Sequence, residues 1–166
     1  TVGRENTMVS PVQNSGLVGL GGAAFPAHVK FKIPEGKTCK YIMLNGAECE
    51  PFLTSDHRTM LEQPDAVIDG INILNHFIKA EKAFIGIEDN KPDAIKILRE
   101  KAKNNPFPIE VVSLKVKYPQ GAEKMLIKAV LGREVPPRAL PMDVGVVVQN
   151  VGTALAIYEA ARFGKP

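Results

Sequence analysis

Two short segments hold most of the chemistry this chain can offer. Gly16-Leu17-Val18-Gly19-Leu20-Gly21-Gly22 places four glycines within seven residues and runs on into Ala23-Ala24-Phe25-Pro26. A scaffold loop seldom needs so many, because each glycine loses more conformational freedom on folding than any other residue. Such a loop lets the backbone approach a bulky, flat or phosphorylated ligand and leaves N–H groups aimed at it. Further along, Asn45-Gly46-Ala47-Glu48-Cys49-Glu50-Pro51 sets an amide and two carboxylates in a tight turn straight after the apolar run Tyr41-Ile42-Met43-Leu44. Glu48 and Glu50 are acceptors suited to a ribityl chain, a flavin ring or a nicotinamide ribose, although solvated acids at a strand end would look the same. A glycine cradle followed by an acid-rich strand end points to a nucleotide-type cofactor site.

Other candidates are weaker. Asn150-Val151-Gly152-Thr153 falls at a helix N-terminus, where Asn150 is either a simple N-cap or part of a site for an anion such as a phosphate. Glu48, Cys49, Glu50, Asp56 and His57 lie within ten residues of one another. They lack the second paired ligand motif of a metal centre, so no metal is assigned. Ser55-Asp56-His57 is not a catalytic triad, because adjacent residues rarely have the geometry that those roles demand. His28 and His76 read as surface or packing residues. No catalytic side chain is assigned. The glycine loop also departs from the ordinary dinucleotide fingerprint, since Pro11 to Leu17 is a poor preceding strand.

The elements that must position these segments alternate. Strands are expected over Tyr41–Leu44, Ala83–Ile87, Ile109–Leu114 and Val144–Val148. Helices are expected over Ala23–Lys32 (short, broken by Pro26), from about Asp65 to Lys79, from Pro92 to about Lys103, over Gly121–Leu131, and from Asn150 through Phe163. That order implies an α/β, Rossmann-like and mostly parallel sheet of about four strands with helices on both faces. Ligands in such folds bind outside the carboxyl ends of the strands, and the polar segments above all follow strands. Residues 1–15 read as an N-terminal arm and 16–166 as one α/β domain. Pro136-Pro137 to Pro141 reads as a connecting loop.

Bulk properties narrow the class. The chain has 166 residues, 45% of them hydrophobic and 23% charged, which suits one domain with a real core. A net charge of +3, with no basic run and no Trp, argues against nucleic acid. No apolar stretch reaches the length of a membrane span. Cys39 and Cys49, ten apart, form neither a disulfide framework nor a metal pair, and a reducing cytosolic compartment is the default.

Taken together, Gly19-Leu20-Gly21-Gly22-Ala23-Ala24-Phe25-Pro26 with Lys30, Asn45 through Pro51, Gly86 through Pro92, Tyr118-Pro119-Gln120-Gly121-Ala122-Glu123-Lys124 and Gln149-Asn150-Val151-Gly152-Thr153 resemble the RnfC family, the C subunits of Rnf electron-transport complexes. That family is similar to the flavin subunit of respiratory complex I. The resemblance runs from about Gly16 to Pro166. It implies non-covalently bound FMN and hydride exchange with NADH. Gly19, Gly21, Gly22 and Lys30 then match the flavin-holding loop. Asn45, Glu48 and Glu50 match polar contacts to flavin and nucleotide. Phe25 matches an aromatic stacked near the nucleotide. Tyr118, Gly121 and Glu123 match a stretch facing the cofactor, and Asn150 and Thr153 a segment near its phosphate. Ala122 stands where the complex I subunit has an acid.

The implied function is an NADH oxidoreductase domain that passes electrons between NAD(H) and ferredoxin-type iron–sulfur carriers through FMN. Two cysteines cannot ligate a cubane cluster, so iron–sulfur centres are expected only in a longer parent protein. That parent is expected at the cytoplasmic face of a membrane, among the other subunits of the complex. The alternatives are a soluble flavin electron-transfer protein, such as a cobalamin reductase or an amino-acid reductase carrier, and an interaction domain that has lost its cofactor.

Overall fold

The computed structural model describes residues 16–19, 30, 33–48 and 54–164. In chain order its elements are β1 (Tyr41–Gly46), α1 (Ser55–Glu62), α2 (Pro64–Ile78), β2 (Lys82–Glu88), α3 (Pro92–Ala102), β3 (Ile109–Leu114), α4 (Glu123–Leu131), a 3-10 turn (Pro141–Val144), β4 (Val146–Asn150) and α5 (Val151–Phe163). The four strands form one sheet in the order β3-β2-β1-β4, and every pairing is parallel. The expected α/β sheet with helices on both faces is present.

Local chemistry explains the boundaries. Pro64 and Pro92 sit in the first turns of α2 and α3, where a missing N–H costs nothing. Gly132 and Gly164 end α4 and α5 in the left-handed conformation. The fourth strand runs Val146–Asn150 rather than Val144–Val148. Pro141–Val144 winds into a 3-10 turn instead, with the Asp143 carboxylate accepting from the Leu140 N–H at 2.7 Å, and Gly145 closes it at φ 76. Helix α4 begins at Glu123, because residues 118–122 form turns. Helix α1 has no counterpart among the expected elements. The expected helix over Ala23–Lys32 lies outside the described residues, apart from Lys30.

Each strand alternates between two cores. On one face Ile42, Leu44, Ile85, Ile87, Val111 and Val147 meet Met60 of α1, Val67, Ile71 and Leu74 of α2, Leu98 of α3 and Ile157 of α5. On the other, Met43, Leu114, Val146 and Val148 meet Leu126 and Ile127 of α4. Full burial of each large aliphatic side chain is worth about 1.5–3 kcal/mol, so these two layers hold the sheet rigid beneath its rim. Gly86 keeps the second layer thin. A Cβ there would lie 2.7 Å from Leu126 Cδ1 and 2.9 Å from Leu114 Cδ1.

Cys39 enters this core just before β1 and is buried. Burial raises its thiol pKa above the ordinary 9.0, outweighing hydrogen bonds to the Tyr41 and Val147 backbone. The thiolate is the reactive form. Iodoacetamide at pH 8 is therefore expected to alkylate Cys39 at least about tenfold more slowly in the folded chain than in urea, read by peptide mass spectrometry. Equal rates would show that the core opens here.

Candidate functional site

The connections reverse direction at β1. From β1 the chain moves outward through β2 to β3, then α4 carries it back across the other face to β4, on the far side of β1. The crevice outside the carboxyl ends of β1 and β4 is the topological switch point, where open α/β sheets bind ligands. Register pairs Asn45 with Asn150 across that crevice.

Several expected site residues meet here. The Asn45 amide donates to the Gly121 carbonyl at 2.8 Å, and its oxygen accepts from the Ala47 N–H at 3.0 Å. It thereby ties the end of β1 to the turn before α4. Lys30 Nζ donates to the Val148 carbonyl at 2.8 Å and pairs with Glu123 at 3.1 Å. Lys30 is thus anchored to β4 and α4. The Asn150 oxygen accepts from the N–H groups of Gly152 (2.7 Å) and Thr153 (3.3 Å), so Asn150 is the N-cap of α5. Its amide donates to Asp56 Oδ2 at 2.6 Å. The anion nearest this helix N-terminus is therefore the chain's own Asp56.

Glu48 is used within the protein. Its side chain is 1% exposed, Oε1 accepts from the Asp56 N–H at 2.7 Å, and Oε2 lies 3.3 Å from Lys91 Nζ without hydrogen-bond geometry. Glu88 Oε2 takes the Lys91 ammonium at 2.9 Å and lies 3.4 Å from the Glu48 N–H. Tyr118 stands apart, 85% exposed on the turn after β3. Gly19 is half-buried. Gly21, Gly22, Phe25 and Glu50 lie outside the described residues.

Sequence reasoning marks the segments that hold four further members of this rim but gives those residues no site role. Lys91 and Glu88 form the buried charge pair beneath Glu48. Gln120 and Gln149 are 2% and 3% exposed. Among the described residues, the buried side-chain atoms with no hydrogen-bond partner are Glu48 Oε2, Gln120 Oε1 and Gln149 Nε2. An unpaired buried polar atom costs about 1–3 kcal/mol. All three lie on segments that follow or end strands, in the half of the molecule that holds the switch point. The one signal for them in the sequence is their position in those segments. The described residues hold no group of three or more His, Cys, Asp or Glu able to bind a metal. A groove of about 530 Å³, lined by Lys82, Arg99, Asn105 and Glu110 among others, lies at the opposite, N-terminal ends of β2 and β3.

Burial raises the Asp56 pKa above the ordinary 3.8; the bond from Asn150 opposes the rise, and the Glu48 charge adds to it. For a raised acid, the contribution to stability is present below the unfolded pKa and lost as pH rises through the folded one. Asp56→Asn keeps an oxygen for the Asn150 amide and removes the charge. The variant is expected to gain stability over the parent as pH rises from about 3.8 towards neutrality. Urea midpoints at pH 4 and pH 7 test this. A constant difference would show that Asp56 carries no ionisation cost.

Comparison with known proteins decides what this rim belongs to. The sequence profile of the Nuo51 FMN-binding domain matches residues 12–159. The chain belongs to that family. The cofactor of a Nuo51 FMN-binding domain is FMN. The C subunit of the proton-translocating ferredoxin:NAD(+) oxidoreductase complex of Clostridium ljungdahlii is 52% identical over 159 residues, 96% of this chain and 34% of that protein. Its counterpart in the Na(+)-translocating complex of Acetobacterium woodii is 56% identical over 155 residues, 93% of this chain and 35% of that one. The C subunit of the Rhodobacter capsulatus ion-translocating oxidoreductase complex is 42% identical over 161 residues, 96% of this chain and 31% of that one. The resemblance to RnfC is borne out, and the chain spans about a third of the length of these relatives. An NAD+-reducing nickel–iron hydrogenase structure shares the fold, with a TM-score of 0.81 at 23% identity over 94% of this chain and 30% of that one.

Proposed function

We propose that this Nuo51-type domain holds FMN at the β1–β4 switch point and exchanges electrons there between NAD(H) and the ferredoxin-type carriers of an Rnf-type complex. The observation that carries this reading is the set of buried polar atoms without hydrogen-bond partners on the rim segments, one of which, Glu48 Oε2, faces the Lys91 ammonium. Two acceptors, Glu48 Oε2 and Gln120 Oε1, suit ligand hydroxyl or ring N–H groups. One amide donor, Gln149 Nε2, and the Lys30 ammonium suit a phosphate or ring carbonyl. Residues of these types fit a molecule that carries a ribityl chain, a phosphate and a flat polar ring.

When bound, FMN would supply the chemistry: it can take up one hydride, two electrons, from a nicotinamide and give the electrons up singly. The chain's residues bind and orient. Lys30, tied to β4 and Glu123, brings a positive charge to the rim. Asn45 fixes the turn carrying Gly121. Glu48, buried and immobile, presents an acceptor at the end of β1. In this reading Gly19, Gly21 and Gly22 form the cradle, Phe25 and Glu50 serve the nucleotide, Tyr118 and Glu123 face the cofactor, and Asn150 with Thr153 shapes the end near the phosphate. The parent protein then works at the cytoplasmic face of a membrane. No described helix is long and apolar enough to cross one.

FMN fluorescence is expected to be quenched on binding, and anaerobic NADH to bleach the oxidised flavin band. Lys30→Ala combined with Glu48→Gln is expected to weaken FMN by about a hundredfold, from two lost polar contacts. Unchanged affinity in that variant would remove these residues from the site. Failure of the parent chain to bind FMN would favour an interaction domain without cofactor.

A further inference from the structure

Lys91 is a buried cation that the proposed function leaves without a task. It precedes α3, its side chain is 9% exposed, and it faces two carboxylates, Glu88 at 2.9 Å and Glu48 at 3.3 Å. From Glu48 the polar chain continues. Glu48 Oε1 accepts from the Asp56 N–H at the start of α1, and Asp56 Oδ2 accepts from the Asn150 amide. Asn150 then caps α5. Five side chains thus link the carboxyl ends of β2, β1 and β4. They comprise three carboxylates, one ammonium and one amide, and Lys91 is the one cation among them.

We propose that Lys91 is a positioning residue for the flavin site, acting through Glu48 and not by contact with the ligand. This rests on the FMN reading above. The ammonium sits beneath the rim and draws Glu48 inward. Glu48 Oε2 faces that ammonium, so the pair fixes the orientation of the Glu48 carboxylate, and through Oε1 on the Asp56 N–H it holds α1 and the Asn150 cap in register behind it. Buried ion clusters are poor devices for stability alone, since apolar residues of similar volume often do as well. A cluster whose links run from strand end to strand end across a ligand crevice has a geometric task instead. Lys91 also offsets one of the three negative charges in this cluster, to which a bound, reduced flavin would add its own.

The test compares Lys91→Met and Lys91→Met/Glu88→Gln with the parent in the full chain. It reads melting temperature, FMN dissociation constant and the midpoint potential of bound FMN. Lys91→Met is expected to lower the melting temperature, weaken FMN about tenfold and move the potential to more negative values. The double variant removes one positive and one negative charge, and its glutamine keeps an acceptor for the Glu48 N–H. It is expected to recover most of the melting temperature while FMN stays about tenfold weak, because Glu48 still lacks its anchor. Recovery of parent FMN affinity together with melting temperature would overturn the proposal and leave Lys91 a structural ion. So would a Lys91→Met potential equal to the parent's. If the parent chain itself bound no FMN while the melting pattern held, the FMN reading would fall, and the two failures are told apart by the parent titration alone.

Discussion

Replacing Lys91 by Met is expected to destabilise the chain by about 3–5 kcal/mol, the cost of stripping one partner from a buried ion cluster. The ammonium is nine-tenths enclosed, and the Glu48 and Glu88 side chains are 1% and 5% exposed. Without Lys91 two carboxylates face each other in a low-dielectric space, and neither can reach water. The strand ends that carry them must part to relieve the repulsion. Urea unfolding with an unchanged slope and a lower midpoint would register the effect. A change below about 1 kcal/mol, typical of exposed pairs, would show that water reaches the cluster.

The second large effect is steric. Gly70 lies midway along α2 where that helix crosses α5, and a Cβ there would stand 2.2 Å from the Ala154 carbonyl oxygen and 2.7 Å from its carbon. Both obstacles are backbone, so no rotamer change relieves them. Alanine in a helix interior gains about 1 kcal/mol over glycine in propensity. Overpacking costs about 1–3 kcal/mol and here sits at the upper end, because two helices must separate. Gly70→Ala is therefore expected to lose about 2 kcal/mol net. Since α5 is capped by Asn150, the same variant is expected to loosen the rim and weaken FMN. A neutral or stabilised Gly70→Ala would show that the helices stand further apart.

These two residues also mark the limit of what the sequence makes legible. The strands are readable because Tyr41–Leu44, Ala83–Ile87 and Ile109–Leu114 are short apolar or alternating runs bounded by turn residues. Helix α2 is readable because Val67, Ile68, Ile71, Leu74 and Ile78 repeat at helical spacing, and all are buried. Helix α1 is not. Ser55-Asp56-His57-Arg58-Thr59-Met60-Leu61-Glu62 buries Met60 alone, so no apolar stripe announces it. It forms because α3 and α5 give Met60 a socket, which is a tertiary fact. The start of β4 is misread because Val144 looks like a strand residue, while Pro141 and the Asp143 carboxylate wind it into a turn.

The site divides in the same way. Asn45, Glu48 and Asn150 are legible as polar residues at strand ends, and the structure gathers them at one switch point. Lys91 is not, because a lysine beside Asn90 and Pro92 reads as solvated. Its burial follows from its place between two acids, Glu88 at the end of β2 and Glu48 just after β1, that converge from different strands. Gln120 and Gln149 carry no spacing signal. Only the enclosure of their side chains, with atoms lacking partners among the described residues, marks them out.

The central claim is that FMN is bound at the carboxyl ends of β1 and β4. Amide chemical-shift mapping of the labelled chain during FMN titration tests it most directly. The largest shifts are expected at Asn45, Ala47, Glu48, Gln120, Gly121, Gln149 and Asn150, with Lys82, Arg99 and Asn105 unmoved. Shifts centred on the Lys82–Arg99–Asn105 groove at the opposite end of the sheet, with the rim unmoved, would contradict it.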